Sequence, residues 1–218
     1  MKKWIALLLT GCMLAATVVG CGAKEEAVAD APATEAVTEE TAEAESDLAY
    51  VKEKGVLVVG ITDFAPMDYK NEAGEWIGFD ADMAKGFAQK LGVEVEFVEI
   101  DWDNKILELD AKSVDCIWNG MTLTDEVKAA MDCSNAYCNN AQVVIVPTAE
   151  AQDFQDVESL ADLTFAVEAG SAGLAAAEEY GFANVVEAGT QTDAYLELQS
   201  GSCDACIIDL TMANAMIK

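Results

Sequence analysis

The sequence predicts an α/β chain of two lobes around one cleft. Two observations carry that expectation. Short apolar, β-branched runs alternate with stretches of helical periodicity, the pattern of βαβ units and largely parallel sheets. The pattern then restarts after an extended segment, Gln142 to Val146, that stops at Pro147. Ligands of this architecture bind at the carboxyl ends of strands.

The first residues belong to targeting rather than to the fold. Lys2 and Lys3 precede an apolar stretch from Trp4 to Val19, which closes on Val18-Val19-Gly20-Cys21. That run is too short for a spanning helix, which needs about 20 apolar residues, and reads as a secretory signal. It resembles the bacterial lipobox, which implies lipidation of Cys21 after cleavage and an extracytoplasmic chain anchored to the cell membrane. Residues 22–46 are rich in Ala, Glu, Thr and Val, with almost no large apolar side chain. They cannot bury enough surface to offset their ordering entropy, and like charges keep them extended, so they are expected to form an acidic, disordered tether.

From there the elements follow in order. Val56 to Gly60 reads as a buried strand, and Asp63 to Glu75 as a loop carrying Pro66, Asn71 and Gly74. Asp80 to Leu91 has Met83, Phe87 and Leu91 at helical spacing, and Gly92 closes it. Val93 to Ile100 alternates as a strand does, Lys105 to Ala111 reads as a helix and Val114 to Trp118 as a strand. Thr124 caps a helix that runs to Met131. Past Pro147 come a strand at Thr164 to Val167, a turn at Gly170-Ser171 and an Ala-rich helix to Tyr180. A short strand at Val185-Val186, a helix from Thr192 to Gln199 and a strand from Ala205 to Ile208 ending on Asp209 complete the series. The expected division is residues 1–21 signal, 22–46 tether, 47–146 first lobe and 147–218 second lobe. A last helix opens after Asp209 without a closing element, so the chain is expected to be C-terminally incomplete.

Composition removes whole classes of function. The formal net charge is −28, which is unsuited to nucleic acid, whose phosphates need Lys and Arg. The chain contains neither His nor Arg, so a Ser-His-Asp triad, a Cys-His pair and His-ligated metals are out of reach. Nothing calls for a cofactor. Of the cysteines beyond the signal, Cys116 and Cys206 sit in apolar runs and read as small buried hydrophobes. The sequence leaves disulfide pairing open; if a bridge forms, Cys133 and Cys138 are its readiest pair, and Cys203-Asp204-Ala205-Cys206 leads into a strand rather than the helix N-terminus of reactive C-x-x-C motifs.

Five motifs in order carry a resemblance. Gly60-Ile61-Thr62-Asp63-Phe64-Ala65-Pro66-Met67 forms a first strand and aromatic loop, and Gly74 to Asp82 a G-x-x-x-G-F-D-x-D pattern. Asp115 to Thr124 forms a D-x-I-x-x-G-M-T-x-T segment. Ser134 and Tyr137 fit an F-S-x-P-Y element, and Ala169-Gly170-Ser171 with Asp204 to Asp209 fit the second lobe. Together they resemble family 3 of the bacterial extracellular solute-binding proteins, the polar amino acid binders of ABC importers.

The resemblance implies a type II periplasmic-binding-protein-like fold and a monomer that captures a small polar solute, an amino acid, by hinge closure. It also implies a membrane permease as partner and no chemistry done on the ligand. A sensory ligand-binding module and an extracellular dehydratase on the same scaffold are the alternatives. Carried over by position, Phe64 packs on the ligand, and Asn119, Gly120 and Thr122 offer polar groups at a strand end. Gly170 and Ser171 present a helix N-terminus to a carboxylate, and Asp209 takes the ammonium. Asp63 and Trp102 are further candidates for the cleft, and Asp80 is placed to cap its helix. The resemblance breaks at Val127, where the family places an arginine for the ligand's α-carboxylate. Lys128 is the neighbouring candidate cation, about 100° further round the helix.

Overall fold

The computed structural model describes residues 46–217. The signal, the lipidation site at Cys21 and all of the tether but Ser46 lie outside the described residues. Ser46 belongs to the fold. Its hydroxyl accepts from Ala49 N at 3.1 Å and caps α1, Asp47–Lys54. No helix among the described residues is long and apolar enough to cross a membrane.

The first sheet is three-stranded. β1 (Val56–Ile61) lies between β4 (Glu94–Glu99) and β5 (Cys116–Ile117), parallel to both. Its β-branched residues fit a pleated, covered surface, and Val59 and Ile61 are fully buried. The stretch expected to be loop, Asp63 to Glu75, contains one strand of a small hairpin, β2 (Tyr69–Lys70), which pairs with β3 (Trp76–Ile77) just beyond it.

α2 (Phe79–Leu91) falls where expected but packs a different face. Asp80, Ala81, Ala84 and Ala88 are buried, while Met83 is 49% and Phe87 43% exposed. Small side chains let the helix backbone approach the sheet closely. Asp80 does not cap the helix, because Gly78 holds the cap position. Its carboxylate instead accepts from the Tyr137 hydroxyl at 3.0 Å. The strand expected at Val114 to Trp118 shrinks to the two residues of β5. Asp115, just before it, accepts from Val58 N at 2.7 Å and pairs with Lys54 at 2.7 Å, pinning β5 to β1 and α1.

After α3 (Lys105–Asp110) and α4 (Asp125–Ala130) comes β6 (Gln142–Ile145). The division expected at residue 147 puts this strand in the first lobe. It pairs instead antiparallel with β9 (Ala205–Asp209), so the passage between sheets falls before Gln142. The second sheet has the order β6-β9-β7-β8, with β7 at Thr164–Glu168 and β8 at Asn184–Ala188. Helices α5 (Ala172–Glu179), α6 (Gln191–Ser200) and α7 (Leu210–Met216) accompany it. One face buries Phe165, Val167, Phe182 and Ile207, with the Phe165 and Phe182 rings stacked at 4.4 Å. The other buries Ala166, Ala194, Ile208 and Met212, and Phe64 and Met67 join that cluster. Each large side chain so buried stabilises the fold by about 1.5–3 kcal/mol.

Cys133 and Cys138 do not bridge. All five described cysteines are free, and burial pushes the Cys116 and Cys206 thiols up to about 12, which leaves them inert.

Candidate functional site

The carboxyl ends of β1, β5, β7 and β9 meet at one cavity of about 100 Å³. Its first-sheet wall is set by the Asn119 amide. Oδ1 accepts from Thr62 N at 2.8 Å and Nδ2 donates to Thr62 Oγ1 at 2.6 Å, so this buried side chain ties the ends of β1 and β5 together. Gly120 follows at φ +60°, and a Cβ there would stand 2.7 Å from Phe64 Cε1. Only glycine lets the aromatic ring lie against this strand end. Trp102 is buried in the turn before α3. Thr124 caps α4 by accepting from Val127 N at 3.1 Å, and this presents the buried Val127 to the cavity.

The second-sheet wall is more polar. Ser171 caps α5, its hydroxyl accepting from Leu174 N at 3.2 Å. Gly170 before it has φ +64°, and an added Cβ would meet Asp103 Cα at 2.7 Å. Asp209 ends β9, and its side chain does not cap α7. One carboxylate oxygen accepts from the Asn140 amide and from Gln142 Nε2 at 2.6 Å, the other from Gln191 Nε2 at 2.6 Å. Gln191 Oε1 returns a bond by accepting from Asp209 N at 2.8 Å. Three amides thus hold the carboxylate in a fixed direction, and of its about four lone-pair sites one remains unused.

Glu168 and Lys105 complete the charge pattern. Glu168 is only 4% exposed. Burial, with the Asp209 and Asp193 carboxylates, pushes its carboxyl up to about 8, against the opposing pull of Gln191 and Lys105. Lys105 is 8% exposed, and Nζ donates to Trp102 O at 3.1 Å and to Gly170 O at 2.8 Å. Burial pulls its pKa down, and Glu126, Asp103 and Glu168 oppose that pull.

Eight of the ten residues named from the sequence line this cavity: Phe64, Trp102, Asn119, Gly120, Thr122, Gly170, Ser171 and Asp209. Asp63 and Lys128 do not. Asp63 lies half-buried beyond the lining, its carboxyl raised first by burial and then by Glu99 and Asp193. Lys128 is exposed, as the turn of helix after Val127 dictates. Sequence reasoning missed Lys105, Glu168, Gln191 and Glu126. Glu168 carried a signal, because it is acidic at the end of an apolar strand just as Asp209 is. Lys105 carried none.

A larger groove, about 680 Å³, runs beside β5 past Leu57, Phe87, Leu91, Trp118 and Met131. Its wall is mostly apolar. Size alone would favour it, but charged and hydrogen-bonding groups converge in the smaller cavity, and those fix a ligand's orientation.

Comparison with known proteins places the chain in a family and a fold. The model of the bacterial extracellular solute-binding proteins, family 3, matches residues 57–197, more than half of the chain. The arginine-binding extracellular protein ArtP of Bacillus subtilis is 29% identical over 223 residues, covering 100% of this chain and 77% of ArtP. A mutant of ArgBP from T. maritima superposes with a TM-score of 0.75 at 35% identity, covering 79% of this chain and 76% of that one. The ancestral amino acid-binding protein AncCDT-1, a precursor of cyclohexadienyl dehydratase, gives a TM-score of 0.75 at 34% identity over 78% and 77% of the two chains. The fold is the two-lobed, type II α/β fold of such proteins.

Proposed function

The chain belongs to the family 3 bacterial extracellular solute-binding proteins, and from that premise we propose that it captures a free amino acid in the cleft and hands it to an ABC importer. A lipid at Cys21 holds it at the membrane in this reading, with residues 22–46 as the tether. The observation that carries the proposal is the meeting of Asp209, Glu168, Lys105 and the start of α5 in one cleft cavity at four strand ends. Carboxylates at one end suit an ammonium. Lysine and a helix N-terminus suit a carboxylate.

The excess of acid over base in the lining favours a ligand carrying a second positive charge. ArtP is described as an arginine-binding extracellular protein, and ArgBP from T. maritima is described in an arginine-bound form. Hinge closure fits the dimensions. The free volume of about 100 Å³ between the two walls is small for an amino acid, so parting of the walls would admit it more readily.

The test is a thermal-shift panel of the common amino acids on the purified chain, followed by calorimetry. A ligand at about 100 times its Kd adds about 2.7 kcal/mol to stability and raises the melting temperature visibly. Asp209→Asn is expected to weaken that ligand by about 2–5 kcal/mol if its ammonium meets Asp209 away from water. Were no amino acid to shift the melting point at millimolar concentration, the capture reading would fail.

A further inference from the structure

We infer that Lys105 grips the ligand's α-carboxylate, a role the family gives to an arginine that this chain lacks at position 127. The inference rests on amino acid capture in the cleft and names the group that reads the acid end of the ligand. Val127 occupies the wall, and it brings no charge. Lys105 is the cation among the described residues that line the cavity, and Lys128 points elsewhere.

Three features of Lys105 fit the role. First, its ammonium is buried without an ion pair. The salt bridges of the described residues use Lys54, Lys70 and Lys85, whereas Lys105 donates to the carbonyls of Trp102 and Gly170 and lies over the Trp102 ring, 5.0 Å from its centroid. An ammonium carries three donors, so those two bonds leave one for a ligand. Glu126, Asp103 and Glu168 act on it through the field without a direct ion pair, so a carboxylate arriving within hydrogen-bond reach adds the charge-assisted bond it lacks.

Second, the 2.8 Å bond to Gly170 O puts Nζ at the turn into α5, one residue before the Ser171 cap. The cation and the leading amides of an eight-residue helix thus favour the same charge at the same place. Third, Asp209 is fixed by Asn140, Gln142 and Gln191, with Glu168 also in the lining. The cavity therefore carries its cation on α3 and its fixed carboxylate at the end of β9, and an α-amino acid is a dipole of matching sense.

The test compares amino acids with the amines left by their decarboxylation: L-arginine with agmatine, L-lysine with cadaverine, L-glutamine with 4-aminobutanamide. Titration calorimetry is run on the wild-type chain, Lys105→Met and Lys105→Arg. The wild type is expected to prefer the acid of a bound pair by about 100-fold, as a charge-assisted bond in a buried site allows. Lys105→Met should remove most of that preference and leave the amine's affinity within about threefold, while Lys105→Arg retains the preference. Melting of each ligand-free variant controls for folding.

If the wild type binds acid and amine alike, or Lys105→Met weakens both equally, Lys105 does not read the carboxylate and amino acid capture still stands. If no member of any pair binds, the capture reading itself falls, and this inference with it.

Discussion

Glu168 makes binding of a cationic ligand depend on pH in a direction that can be worked out beforehand. Its carboxyl is pushed up to about 8 in the empty cleft, first by burial, then by Asp209 and Asp193, with Gln191 and Lys105 pulling the other way. At pH 6 nearly every empty molecule therefore carries a neutral Glu168. A ligand cation beside it favours the ionised form and expels the proton. If the bound pKa falls below about 6, affinity rises with pH until the empty carboxyl ionises by itself near 8. Between pH 6 and pH 8 the apparent affinity should rise about fiftyfold, or about 2 kcal/mol, from the factor of ten that one pKa unit represents. The ligand's own ammonium titrates above this window.

The assay is calorimetry with L-arginine at pH 6, 7 and 8, repeated in buffers of different ionisation enthalpy to count released protons. About one proton should leave per ligand at pH 6 to 7. Glu168→Gln should flatten both the affinity profile and the proton count. A wild-type affinity constant across this range, with no proton released, would refute the placement of Glu168 beside the ligand's charge.

Two further expectations concern the scaffold. Gly120→Ala places a Cβ 2.7 Å from Phe64 Cε1 at φ +60°; it should cost about 1–3 kcal/mol of stability in urea unfolding, and an unchanged midpoint would contradict the close approach. Asp68, fully buried, has its carboxyl pushed up to about 8 by burial and by the neighbouring Asp80. The folded chain keeps that proton up to about pH 8, whereas the unfolded chain releases it near 4. The native state thus binds more protons in this window, and stability falls as pH rises through it. Asp68→Asn should flatten that fall and, at pH 8, raise stability relative to the wild type by at least about 1 kcal/mol, seen as a higher melting point. Parallel melts at pH 5 and pH 8 check it.

Much of the fold is legible in the sequence because buried parallel strands leave a strong trace. β1, β7 and β9 are covered on both faces, so each is a continuous apolar run. The two-residue strands of the β2–β3 hairpin leave no periodicity to detect. β6 is visible as a strand, yet its sheet is not, because its partner β9 begins 60 residues after it ends and nothing local records that pairing. α2 shows a different limit. Positions 80, 84 and 88 have the same helical spacing as 83, 87 and 91. Periodicity fixes a helix, but the closeness of approach to β1 and β4 decides that alanine, not Met83 or Phe87, faces inward.

The site was legible where it is built of strand ends and glycine turns, and illegible where a long side chain does the work. Nothing in a short helix beginning at Lys105 announces that its first side chain turns inward to the carbonyl of Gly170, 65 residues away. That bond also changes how closure and capture are related. An arginine on α4 would hold the ligand from the first lobe alone. Lys105 belongs to the first lobe and donates to the turn that opens α5 in the second, where Gly170 lies so close to Asp103 that no Cβ fits between them. In the proposed hinge closure, opening the cleft would break that bond and expose the ammonium to water. A carboxylate gripped by Lys105 as proposed would then bind best with the lobes together, and by that differential affinity it would draw the population toward the closed form.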